Sequence, residues 1–280
     1  MTKPQPTKTS DRTQSVLDSA LRTLELEGSG VDALATALRD GLGASFSVAI
    51  DLIRATQGRV IVTGMGKSGH VGQKIASTFA STGTPALFVH PAEASHGDLG
   101  MITKQDVILA LSWSGETAEL KNLTDYSQRH NIGLIAMTAN PDSTLAKTAD
   151  VVLTLPQARE ACPHNLAPTT SALMQLALGD ALAIALLESR GFTAIDFGLL
   201  HPGGKLGTLL KTVGDFMHTG STVPLRPLGT RMSDAIIEMT TKNFGCVGIT
   251  DPRGQLVGII TDGDLRRHMR KDCSTRASRT

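Results

Sequence analysis

The sequence predicts an α/β fold, a doubly wound parallel sheet followed by a small C-terminal α+β module, and three observations predict it. Short apolar runs recur at Val60–Thr63, Ala86–Val89, Val107–Leu111, Leu134–Thr138 and Val151–Leu155. Between them lie stretches with apolar residues at helical spacing, notably Gly69–Ser81 and Glu116–Gln128. Strands that are apolar throughout are buried on both faces, which is how helices cover a parallel sheet. Finally, turns rich in Gly and Ser follow the first and third strands, and ligands of such sheets bind beyond the carboxyl ends of the strands.

Ahead of the first strand, Val16–Leu26 and Leu34–Ile53 carry helical spacing, so two helices are expected, the second closed by Gln57 and Gly58. Met1–Thr13 is polar, lacks the apolar run of a signal peptide and reads as a frayed tail. The longest apolar stretch, Ala172–Leu187, is interrupted by Gln175, Gly179 and Asp180. It falls short of the roughly 20 residues that cross a bilayer, and reads as a buried helix at a subunit interface. No membrane association is expected. The expected boundaries are 1–55 for a tail and helices that pack on the main domain, 56–210 for the main domain and 211–280 for the C-terminal module.

Composition narrows the function. A net charge of +1 and 3% aromatic residues exclude a dedicated nucleic-acid binder, which needs clustered cations and stacking platforms. Cys162, Cys246 and Cys273 lie far apart without CxxC or Cys/His spacing, so neither a disulfide framework nor a zinc site is indicated, and a reducing cytoplasm is the expected compartment.

Two turns carry the chemistry. Gly64, Gly66 and Gly69 satisfy GxGxxG between a strand and a helix, which keeps a dinucleotide site open as an alternative. Against a dinucleotide, the second strand runs into His90 and Pro91 instead of an acidic residue, with Glu93 only later. The second turn, Ser112-Trp113-Ser114-Gly115-Glu116-Thr117, is superfluous to a dinucleotide but suits one phosphate gripped by two loops. The competing structural reading is that these hydroxyls only cap a helix starting near Glu116.

The segments Gly64–His70, Ala80–Pro85, His96–Gly100, Ser112–Thr117, Glu160–Pro163, Leu166–Thr169, Gly179–Ala183 and His201–Gly204, taken in order, resemble the D-arabinose-5-phosphate isomerase family. The resemblance runs over almost everything from Gly58 to His268. It implies a SIS (sugar isomerase) domain, interconversion of D-ribulose 5-phosphate and D-arabinose 5-phosphate, a place upstream of 3-deoxy-D-manno-octulosonate and lipopolysaccharide, and a homotetramer. It further implies Lys67, Glu119, Glu160 and His201 as catalytic side chains. Gly66, Ser68, Ser112, Ser114 and Thr117 are the expected phosphate and substrate contacts, with His96 lining the site. Trp113 departs from the family, where a small polar residue such as Asn is usual, and so bears on substrate fit or loop conformation.

The chemistry asks for the same kit. Moving a carbonyl from C2 to C1 passes through a cis-enediol, which needs a base for the proton α to the carbonyl and a cation or acid for the developing oxyanion. No metal or organic cofactor is required. Lys67 suits the anion or the phosphate, since a cation at a helix start is badly placed unless an anion sits there. Glu160 and His201 are the candidates for proton transfer, with Glu119 as orienter or shuttle, although Glu119 on the first turns of a helix is favourable on structural grounds alone. Glu160 lies in a long loop bounded by Pro156 and Pro168. His201, preceding a proline, is expected to be extended.

Beyond Leu210, Ser233–Met239, Cys246–Thr250 and Gln255–Leu265 resemble one CBS motif, with Thr261 and Asp264 at the positions that commonly face a nucleotide's phosphate and ribose. Such motifs work in pairs, and Arg270–Thr280 is too polar to form a second. The expectation is a truncated chain or pairing between subunits, so an adenine-nucleotide site is less expected here than in the family. In a lone motif Ile236, Ile237, Val247, Ile259 and Ile260 would need a covering partner.

Overall fold

The structure is a computed structural model that describes residues 8–201 and 213–269. They form two compact units that meet in sequence between Leu210 and Lys211.

The first unit opens with helices α1 (Lys8–Asp40) and α2 (Leu42–Ala55). The alternating run follows as β1 (Val60–Gly64), α3 (Gly66–Ser81), β2 (Ala86–Phe88), α4 (Pro91–Ala94), β3 (Val107–Leu111), α5 (Lys121–His130), β4 (Gly133–Thr138), α6 (Thr144–Thr148) and β5 (Val151–Thr154). Helices α7 (Thr170–Ser189) and α8 (Ala194–Leu200) complete the described part. All five strands are parallel, in the order β2-β1-β3-β4-β5. Both β1 and β3 are buried along their whole length and pair from Val60 with Val107 to Gly64 with Leu111. The chain leaves β1 toward β2 on one side and returns to β3 on the other, so the strand order reverses between them, and ligands bind at that reversal in open α/β sheets.

Helices cover both faces. On one, Leu34, Ile53, Ile75, Phe79, Leu178 and Leu182 pack against Val62 and Leu109. On the other, Leu120, Leu123 and Leu145 pack against Ile61, Ile108 and Leu134. Phe79 is fully enclosed, and truncating such a residue to Ala typically costs about 3–5 kcal/mol.

The boundaries differ from the sequence reading where packing overrides local signals. One helix of 33 residues replaces the break expected between Leu26 and Leu34. Gly28 and Gly30 suggest a break there, but Gly30 is where α1 closes on α7, and a Cβ would collide with Thr170 Cγ2. The true break is at Gly41. Residues of the expected tail from Lys8 onward are helical, and Met1–Thr7 lie outside the described residues. Helix α7 is 20 residues long, so by length and composition it is long and apolar enough to cross a membrane. It is instead a core helix. Met174, Leu178, Leu182, Ala183 and Leu186 are buried in contact with α1, α2 and α3, while Ile184 on the same helix is exposed. Exposed apolar residues also recur along α1, at Val16, Leu17, Leu21 and Leu24.

The three interruptions in the apolar run of α7 each match a feature of α3. Gln175 meets the Ser68 hydroxyl at 3.0 Å. Gly179 admits Ile75, whose side chain would collide with any Cβ. Asp180 accepts from Lys74 Nζ at 2.6 Å.

The second unit contains β6 (Leu225–Pro227), α9 (Met232–Lys242), β7 (Cys246–Thr250), β8 (Leu256–Thr261) and α10 (Asp262–Met269). β7 is central, parallel to β6 and antiparallel to β8. Ala235, Met239 and Val247 form a small core with Ile249, Ile260 and Leu265 around it. Val247 and Ile260, expected to need a partner, therefore find one within the unit, because β7 is flanked on both edges and covered by α9. Ile237 and Ile259 are exposed as expected. Thr261 and Asp264 form a capping box: the Thr261 N–H and hydroxyl both donate to Asp264 Oδ2, at 2.9 and 2.7 Å, and the Asp264 N–H returns to Thr261 Oγ1 at 3.3 Å.

Candidate active site

The turn after β1 is shaped by close approach. A Cβ on Gly69 would lie 2.6 Å from the Gly64 carbonyl oxygen, and one on Gly64 would lie 3.0 Å from the Ser68 backbone. Gly66 takes φ +55°, a left-handed conformation that favours glycine. These contacts account for all three glycines of GxGxxG without a dinucleotide. They also start α3 at Gly66, earlier than the expected Gly69. Met65 occupies the N-cap and offers no side-chain acceptor. The first turn of this 16-residue helix thus presents its N–H groups and the positive end of its dipole without a capping side chain.

Lys67 and Ser68, in that first turn, line a cleft of about 260 Å³ together with Trp113, Glu160, Asn165 and Gln175. That volume lies below the roughly 300–1,000 Å³ of sites for drug-sized ligands, and suits a small metabolite better than a dinucleotide. Lys67 is exposed, Ser68 half-buried, and Trp113 packs one side against the core while lining the cleft.

Glu160 reaches the cleft from the long loop between β5 and α7. Its Oε2 accepts from the Thr169 N–H at 2.8 Å, the Thr169 hydroxyl at 3.0 Å and the Ser171 N–H at 3.3 Å. Thr169 is the N-cap of α7, so the carboxylate sits at the positive end of a second helix. Its own N–H donates to Asn165 Oδ1 at 2.8 Å, and Asn165 holds the loop with φ +55°. Partial burial would push the carboxyl up, but the hydrogen bonds from Ser171 and Thr169 outweigh it and hold the pKa below the ordinary carboxylate value. Glu160 is therefore a carboxylate near neutral pH and can enter a reaction as a base, not as an acid.

The turn after β3 spends its hydroxyls internally. Ser112 is buried, its Oγ 2.7 Å from Thr117 Oγ1 and accepting the Gly115 N–H at 3.0 Å. Ser114 is exposed and accepts the Glu116 N–H at 3.2 Å. Gly115 has φ +69°, and a Cβ there would collide with Ser143. The helix expected at Glu116 begins only at Lys121, after a short 3-10 turn at Ala118–Leu120. The reason is Glu116, which turns away to cap α6, accepting from the Thr144 N–H and hydroxyl at 2.8 Å each. Thr117 lines a different, neighbouring depression with Glu116, Lys121 and Thr144, and Glu119 is exposed on the 3-10 turn.

The structure thus gathers Gly66, Lys67, Ser68, Trp113 and Glu160 around one cleft or its rim. It places His96 exposed in the loop after α4 and His201 at the C-cap of α8, neither among the residues lining that cleft. His201 has ψ 56° rather than a fully extended backbone, because its ring folds back onto α8. Its Nδ1 lies 2.9 Å from the Phe197 carbonyl and its ring stacks on Phe197 at 4.0 Å. A carbonyl only accepts, so Nδ1 carries the proton and Nε2 of the neutral ring keeps its lone pair. Pro202–Gly204 lie outside the described residues. Among the described residues no group of three or more His, Cys, Asp or Glu is placed to hold a metal ion. Gln175, 1% exposed, was visible in the sequence only as a polar interruption of an apolar run.

Comparison with known proteins gives a consistent picture. Residues 53–185 match the SIS domain family, and residues 213–271 match the CBS domain family. The arabinose 5-phosphate isomerase KdsD of Pseudomonas aeruginosa is 56% identical over 261 residues, which span 93% of this chain and 79% of the relative. The protein of the same name from Escherichia coli K12 is 52% identical over 224 residues, 80% of this chain and 68% of the relative. A solved Escherichia coli CFT073 protein in complex with arabinose 5-phosphate superposes with a TM-score of 0.63 at 39% identity, covering 68% of this chain and 98% of that one.

Proposed function

Since this chain belongs to the arabinose 5-phosphate isomerase family, we propose that it interconverts D-ribulose 5-phosphate and D-arabinose 5-phosphate through an enediol. The observation that carries the reading is the convergence of Lys67, Ser68 and Glu160 on one small cleft at the uncapped N-terminus of α3. The phosphate sits at that N-terminus, where N–H groups and the dipole favour an anion. Glu160, held ionised by Thr169 and Ser171, takes the proton at C1 of the ketose and returns it at C2. Lys67 neutralises the oxyanion that develops between. His201, through Nε2, moves protons between the enediol oxygens from a neighbouring subunit, and Glu119 assists it. Trp113, which lines the cleft, sets the fit of the sugar chain.

The proposed assembly is a homotetramer, supported by the exposed Val16, Leu17, Leu21 and Leu24 of α1. The proposed setting is the cytoplasm, with the product feeding 3-deoxy-D-manno-octulosonate and lipopolysaccharide synthesis. Incubating the purified chain with ribulose 5-phosphate should yield arabinose 5-phosphate. No product above background would overturn the reading, and binding without turnover would point to a sugar-phosphate sensor.

A further inference from the structure

We infer that Gln175 is a positioning residue for the anionic end of the substrate, acting through Ser68. The inference rests on the proposed function to the extent that Ser68 meets the phosphate. Gln175 is 1% exposed, lines the same cleft as Lys67 and Glu160, and faces Ser68 Oγ across 3.0 Å.

With Oε1 toward Ser68, the serine must donate its only proton to the amide, and Nε2 is left buried with no partner. A buried donor without an acceptor carries its full desolvation penalty. The hydroxyl would then turn only lone pairs toward the cleft, which repel a phosphate. A half-turn of the amide reverses each of these. Nε2 donates to Ser68 Oγ, the unpartnered atom becomes a carbonyl oxygen, which is less costly to leave unmatched than an N–H, and the hydroxyl proton is released toward the anion. An anion in the cleft therefore selects the orientation with N–H on Ser68. The Gln175 amide and the Ser68 hydroxyl form a two-position relay that binding drives one way.

The test is a double-mutant cycle on the full chain. Gln175→Met keeps the volume and removes the donor. Gln175→Glu keeps the shape but can only accept when ionised, and so holds the Ser68 proton. Each is made alone and with Ser68→Ala. KM and kcat are measured with ribulose 5-phosphate, and the affinity for inorganic phosphate is measured by calorimetry. Gln175→Met should raise KM and the phosphate Kd together, by about 5-fold, the worth of one net hydrogen bond. Gln175→Glu should raise both further, with kcat changing by less than about 2-fold in either variant, since the relay does not touch the reacting carbons. In the Ser68→Ala background both variants should add nothing. Equal effects with and without Ser68, or a fall in kcat with KM unmoved, would overturn the inference. If the wild-type chain fails to turn over ribulose 5-phosphate, the proposed reaction is wrong, and the phosphate affinities alone still decide the role of Gln175. Should Gln175→Met not fold, the isosteric Gln175→Glu carries the same cycle.

Discussion

The turns after β1 and β3 are made of the same kinds of residue, flank the same strand reversal, and use their polar groups in opposite ways. After β1, Met65 cannot cap and the first turn of α3 faces the cleft open. After β3, Ser112 and Ser114 accept the N–H groups of Gly115 and Glu116, and the glutamate that would begin a helix caps a different one instead. A strand-to-helix turn rich in small residues therefore marks an anion site only where no neighbouring side chain consumes its backbone N–H groups. An open turn is costly to the fold and useful to a ligand, and a closed turn is the reverse.

The carboxylates should separate the two turns most widely. Glu160→Gln removes the proposed base and should lower kcat by about 10²–10⁴-fold, the usual worth of positioned proton transfer. Glu116→Gln should leave kcat much closer to wild type and lower the melting temperature, because its oxygens serve α6. Steady-state kinetics beside thermal melts decide this, and a kcat loss of comparable size in both would erase the distinction. The serines come next. Ser68→Ala should raise KM by about 10–100-fold if its hydroxyl bonds a charged phosphate. Ser112→Ala should instead cost about 0.5–1.5 kcal/mol of stability, since the Gly115 N–H and the Thr117 hydroxyl lose the Ser112 Oγ while the Gly115 N–H keeps the Ser112 carbonyl at 3.1 Å. Gly115→Ala is a third arm. It forces a side chain into φ +69° and against Ser143, and denaturant melts should show a loss of about 1–3 kcal/mol.

The smallest expected effects are acid responses. Glu160 has its pKa lowered in the folded chain, so its contribution is complete above the unfolded value and is lost as pH falls through the folded one. Melting temperatures between neutrality and the ordinary carboxylate range should not respond to it, and Glu160→Gln should flatten only the decline below that range. Asp264 in the second unit, lowered to about 2 by the Thr261 hydroxyl and N–H and by Arg267, should behave likewise. Its capping contribution persists until the pH drops from about 4 toward 2. Loss of helix signal in the second unit at higher pH would show that the capping box does not hold α10.

The sheet was legible because its strands are apolar on both faces, and each expected strand was found within a residue or two of its place. The helices were less so. Gly28 and Gly30 resemble a stop signal locally, and only the approach of α7 makes Gly30 a packing residue. Glu116 resembles a helix start, and only Thr144, 28 positions away, turns it into the cap of α6. At the site, Lys67, Ser68 and Glu160 could be named from their motifs, yet their sharing of a cleft is a product of the fold. Gln175 could not be named, because a lone amide in an apolar helix acquires meaning only when α3 presents Ser68 to it.

One feature of the second unit reaches beyond catalysis. Among the described residues β8 is an edge strand, reading Leu-Val-Gly-Ile-Ile-Thr, with no proline or charged residue within it and with Leu256, Val257 and Ile259 exposed. Such an edge templates pairing with a like strand from another molecule. Concentrated protein should therefore lose colloidal stability along this edge first. Val257→Lys, on a side chain outside the Ala235–Met239–Val247 core, should delay the onset of turbidity without altering turnover.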